Sequence, residues 1–205
     1  MRKRAIIILL VFVFSVLMLP SCSGSGQKML QKSVTSQKKL GEQAEANPSK
    51  QINIEDWHFS FELPSEKWSL KDKQEDREKS IALYGYKREW ILDSKNRKII
   101  PNIGIVFEKV PKDMDVIVYS ANLRMRIGFE VEKVFTHLDG TISLENAIGY
   151  IGKYTNSYNI KHTVMVVHAI HKGIGAQIIM DATTEVFPIV ENEFNQTLKT
   201  LKFAE

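Results

Sequence analysis

The residues able to do chemistry are few, and their spacing limits what they can do. His162, His168 and His171 fall within one short stretch. On an extended strand His162 and His168 share a face, and His171, of opposite parity, takes the other. The first two are then ~20 Å apart, too far to share a metal ion. No metal or cofactor site is expected, and the histidines read as solvent-face or rim residues. Asp113 and Asp115 precede a helix-like stretch, where carboxylates satisfy free N–H groups and the dipole. Glu130 and Glu132 read as a solvated pair on a strand rather than an acid/base couple. No G-x-S-x-G elbow is present. Gly173-Ile174-Gly175 lacks the third glycine of a dinucleotide loop and reads as a β-turn. No catalytic set emerges. Tyr150 and Tyr154 share a strand face and are the candidates for lining a ligand groove, whereas Trp57, Trp68 and Trp90 read as core or rim anchors.

The one residue with a nameable chemistry is Cys22, the only cysteine in 205 residues. Arg2, Lys3 and Arg4 start the chain, and residues 5–19 carry no charge. That order, a basic segment, an apolar segment and then small residues, is the pattern of a secretory signal. Fifteen residues are too few for a transmembrane helix, which needs ~20. Leu19-Pro20-Ser21-Cys22 resembles the lipobox of bacterial lipoproteins, with Pro20 departing from the small or β-branched residue usual there. The resemblance implies diacylglycerol thioether-linked to Cys22 and a further acyl chain, a palmitate for example, on the freed amine. Two or three chains anchor a protein stably where one does not. Ser23 in place of an aspartate favours the outer membrane if the cell has two. The expectation is an exported protein held at a membrane of the cell envelope by lipid, with no free thiol or disulfide in its mature form.

Charge and composition divide the rest. Residues 1–21 read as signal peptide, and 22–50 as the lipidated cysteine and a flexible tether without aromatic residues. A coil of that length spans ~30 Å. Residues 51–205 read as one domain, with 20 Lys/Arg against 22 Asp/Glu, so there is no electrostatic footprint for nucleic acid.

Within that domain Phe59, Phe61 and Leu63 alternate with polar residues up to Pro64, which predicts a strand and its turn. Trp68 and Leu70 open a short second strand, with 71–79 a charged loop. Further strands are expected at 81–86, 103–110, 131–136, 141–144, 147–154, 161–171 and 175–182. Residues 87–101 read as a loop or hairpin extension between the strands at 81–86 and 103–110. Val116, Ile117, Ser120, Leu123 and Ile127 recur at helical spacing ahead of Gly128. Val190, Phe194, Leu198 and Leu201 stripe a second helix over 187–201, with Pro188 in its first turn. Antiparallel neighbours with few helices predict an α+β fold, a sheet of six or more strands flanked by helices.

The start Phe59-x-Phe61-x-Leu63-Pro64 followed by Trp68, the strand at Pro101-Asn102-Ile103, a helix around Tyr119–Leu123 and the ending Phe194…Leu198…Leu201-Lys202-Phe203 resemble PsbP-like domains. That family includes bacterial lipoproteins of the DcrB and LpqN groups. The resemblance covers about residues 54–204, and its motifs are packing positions. It implies an α/β/α sandwich and an accessory or docking role at membrane complexes, with no shared catalytic residues. The function expected is a non-enzymatic envelope docking domain with a protein partner. The alternatives are a small-molecule or lipid-binding module and, last, an envelope hydrolase, which needs a histidine and a carboxylate converging in a cleft.

Overall fold

The computed structural model describes residues 49–125 and 128–204. The chain runs β1 (Lys50–Ile54), β2 (Phe59–Leu63), β3 (Trp68–Asp76), β4 (Ile81–Arg88), β5 (Ile91–Leu92), β6 (Lys98–Ile99) and β7 (Asn102–Lys109). Helix α1 (Val116–Arg124) follows, then β8 (Glu130–Thr136), β9 (Ala147–Thr155), β10 (Lys161–His171), β11 (Ile174–Thr183), α2 (Phe187–Leu198) and β12 (Lys202–Phe203). Seven strands form one antiparallel sheet in the order β3-β4-β7-β11-β10-β9-β8, β1-β2-β12 form a second, and β5-β6 make a hairpin. The fold is α+β.

The large sheet has two unlike faces. One carries Tyr84, Tyr86, Ile103, Ile105, Phe107, Met165, Val167, Ile178 and Met180, all buried, and packs under α2 and the small sheet. Helix α2 supplies Phe187, Val190, Phe194 and Leu198 to that core, as its 3.6-residue period requires, and Leu201 continues the stripe past the helix end. Glu193, on the same helix, accepts from Trp68 Nε1 at 2.6 Å and receives Arg88 through Nε and a terminal guanidinium nitrogen, each at 2.9 Å. This fork clamps α2 to the ends of β3 and β4.

The opposite face carries the even-numbered residues of β10, with Tyr150, Gly152 and Tyr154 of β9 and Gly175, Gln177, Ile179 and Asp181 of β11 aligned beside them by the ladder register. Helix α1 covers part of it. The Tyr119 ring lies on Gly175, where a β-carbon would stand 2.7 Å from it. Gly175 is thus a strand position left bare for a ring, and the turn is Lys172-Gly173, both in the left-handed region.

Several expectations need correction. Residues 71–76 are not a loop: β3 runs to Asp76, with a bulge between Leu70 and Asp72. Residues 141–144 form bends, although Ile142 and Leu144 are buried. Helix α1 ends at Arg124, with Ile127 outside the described residues, and its sheet-facing residues are Tyr119 and Ser120, while Ile117 points to solvent. Helix α2 ends at Leu198 rather than at 201.

Candidate functional site

Two histidine-centred clusters occupy the half-covered face of the large sheet. Asp115 caps α1, its Oδ1 accepting from the N–H groups of Ile117 and Val118, and so sets the helix phase that presses Tyr119 and Ser120 onto the sheet. Ser120 Oγ then lies 2.6 Å from Tyr150 Oη and 2.9 Å from His168 Nδ1. Gln177, opposite His168 in the ladder, places its amide nitrogen 3.2 Å from Nε2. With that nitrogen donating, the neutral ring carries its proton on Nδ1 and donates it to Ser120. Tyr119 Oη donates to Glu108 Oε1 at 3.0 Å, and the Arg124 guanidinium covers the Tyr150 ring at 4.7 Å.

His168 is not a rim residue. It is 0% exposed and Ser120 is 1% exposed. Burial, helped by the Arg124 charge, lowers its pKa to about 4, so the ring is neutral at pH 7. The Ser–His contact resembles half of a hydrolase relay, but its far nitrogen meets an amide instead of a carboxylate, and solvent reaches neither group.

The second cluster pairs a histidine with a carboxylate. His162 Nδ1 donates to Asp181 Oδ1 at 3.0 Å, and Tyr154 Oη donates to Asp181 Oδ2 at 2.8 Å. The Tyr154 ring stacks on the imidazole with centroids 5.0 Å apart. Burial first, and then the Asp181 charge, hold the Tyr154 hydroxyl well above the usual tyrosine pKa. The nitrogen that a relay would aim at a nucleophile, His162 Nε2, instead meets Asn156 Nδ2 at 3.2 Å. His171, on the opposite face, stacks on Phe203.

The sequence places His162 and His168 on one face, and the structure does the same. Tyr150 and Tyr154 share that face, the first buried with its hydroxyl taken by Ser120, the second tied to Asp181. Gln177 and Asp181 carry no local signal in the sequence, and Ser120 stands out only as a position of the helical repeat, because α1, β10 and β11 meet only in the fold. Among the described residues no group of three or more His, Cys, Asp or Glu side chains is placed to hold a metal ion. Cys22 lies outside the described residues. A cleft beside Trp57, lined by Asp56, Glu75, Asp76, Arg77 and Lys109, holds about 220 Å³, below the ~300–1,000 Å³ usual for ligand sites.

Among solved structures the chain is similar to LpqN, described as involved in cell envelope biogenesis of Mycobacterium tuberculosis, with a TM-score of 0.50 and 15% identity over 77% of this chain and 91% of that one. The fold is LpqN-like. A protein of unknown function from Pseudomonas aeruginosa (TM-score 0.45, 13% identity, 75% of this chain and 96% of that one) and a Bacteroides thetaiotaomicron protein (0.45, 12%, 78% and 49%) are also similar. No family model and no curated protein matches the chain in sequence. The features by which LpqN and this chain are alike are those of the LpqN-like fold itself.

Proposed function

We propose that the chain is a lipid-anchored envelope lipoprotein, acylated on Cys22, whose PsbP-like α/β/α body is a non-enzymatic docking domain for a protein partner. The observation that carries the docking part is the outer face of α1. Ile117 is 66% exposed and Met125 81%, with Val118 and Ala121 exposed between them. At 3.6 residues per turn, positions 117, 121 and 125 form one stripe with 118 beside it. The helix is already fixed through Tyr119 and Ser120, so this apolar stripe is a surplus for folding and suits the apolar surface of a partner protein.

The non-enzymatic reading is supported by the two histidines. Each has both ring nitrogens engaged by protein groups, and neither faces an accessible nucleophile. The anchor reading rests on the basic, apolar and cysteine order of residues 2–22, and Ser23 favours the outer membrane where two exist. Among the described residues no helix is long and apolar enough to cross a membrane.

A photoreactive residue at position 118, crosslinked in the native cell, tests the docking surface. One reproducible protein adduct is expected, lost in an Ile117→Asp/Met125→Asp variant whose thermal stability is unchanged. The absence of any adduct on the parent surface would contradict docking through α1.

A further inference from the structure

The hairpin β5-β6 has two unlike faces. Ile91 and Ile99 are cross-strand partners and pack against the core. The other face turns Trp90, Leu92 and Ile100 outward, each about half exposed, and pairs Leu92 with the exposed Lys98. Lys98 Nζ stands 4.5 Å from the Trp90 ring centroid. Lys95 is exposed at the turn, and Lys67, whose carbonyl accepts the Glu89 N–H, adds a further exposed cation.

This hairpin holds one shape. The Asp93 carboxylate is buried and accepts from the N–H groups of Lys95 at 2.9 Å and Arg97 at 2.8 Å, and from Arg97 Nε at 2.6 Å. The hairpin's one buried acid is therefore neutralised by Arg97, which leaves Lys95 and Lys98 against Glu89 on its exposed surface. The Ser94 N–H donates to Glu185, just ahead of α2, and ties the turn to the body.

We infer that this hairpin face lies on an anionic phospholipid surface. The inference rests on the lipid-anchor reading for its setting, since a chain held by Cys22 through residues 23–49 works within ~30 Å of headgroups. The chemistry matches that surface. Tryptophan sits at the level of the headgroups, short apolar side chains enter the acyl boundary beside it, and lysines pair with anionic lipid. Three outward apolar side chains with Lys95 and Lys98 beside them suit a flat, soft, negative partner.

The test uses the full chain with Cys22→Ser, so that binding is not dominated by acyl chains. It is mixed with protein-free vesicles of phosphatidylcholine, with or without phosphatidylglycerol, some carrying brominated lipid. Trp57 and Trp68 are buried, so changes in tryptophan emission report Trp90. The expected result is a blue shift and bromine quenching on phosphatidylglycerol vesicles, both lost in Trp90→Phe. Each of Lys95→Ala and Lys98→Ala weakens binding about fivefold, the effect of one charge at a membrane surface. Leu92→Asp/Ile100→Asp abolishes the quenching while keeping whatever binding residues 5–19 confer. Trp90 left unquenched on anionic vesicles, quenched equally without phosphatidylglycerol, or shielded only when a membrane protein is added would overturn the inference. None of these outcomes depends on acylation of Cys22, which lipid labelling reads separately.

Discussion

Phe194→Ala is expected to cost about 3–5 kcal/mol of folding free energy, the loss usual for truncating a buried phenylalanine. Phe194 is 0% exposed at the centre of the α2 stripe, with its ring 5.9 Å from that of Trp68 and 5.8 Å from that of Phe187. Those neighbours are themselves fixed, Trp68 by its indole bond to Glu193 and Phe187 at the start of α2, so the cavity left behind cannot collapse. At ~2–4 °C per kcal/mol for a domain of this size, the melting temperature should fall by roughly 10 °C. Ile189→Ala on the same helix removes an exposed side chain and should change stability by less than ~0.5 kcal/mol. Thermal and urea denaturation of the two variants measures the difference. Similar losses from both would mean that α2 does not pack as described.

His168 makes stability depend on pH with a definite sign. Its pKa is lowered from 6.5 to about 4 in the folded chain, so the unfolded chain binds the proton first as pH falls. The stabilisation is complete above pH ~6.5 and is lost progressively down to pH ~4, by about 3 kcal/mol in all. His168→Gln cannot take up that proton. It should start less stable at pH 7, because Ser120 and Gln177 lose a bonding partner, and then show a flatter decline between pH 6.5 and 4. Denaturant titrations across that range give the slope, and parallel curves for the two proteins would show that His168 is not the titrating group.

Parts of this architecture are legible in the sequence because a local pattern decides them. Phe59, Phe61 and Leu63 alternate and are all buried in β2, and Val190, Phe194 and Leu198 keep the period of a helix with one buried face. The shared face of His162 and His168 follows from strand parity alone. Other parts depend on contacts that no local pattern carries. Residues 71–76 are charged on both faces, yet they form an edge strand because β4 satisfies their backbone, while Lys73–Glu75 and Lys87–Asp72 pair across the surface. Ile142 and Leu144 alternate like a strand, but a bend buries them, with the Ser143 hydroxyl held by the carbonyls of Leu198 and Leu201. Helix α1 is apolar nearly all round, so its sequence does not say which face meets the sheet. Gly175, bare beneath Tyr119, and the hydrogen bonds of Ser120 decide it. The same non-local partners explain why His168 reads as a rim residue in the sequence and is fully enclosed in the fold.

The lipid proposed on Cys22 sets where the protein works, and the rest of the proposed function depends on it. Cells supplied with an alkyne fatty acid and then fractionated test it directly. The parent chain should incorporate the label and float with membranes, and Cys22→Ser should carry no label and be held at the membrane less tightly. An unlabelled parent chain, or unchanged membrane retention with full labelling in Cys22→Ser, would contradict it.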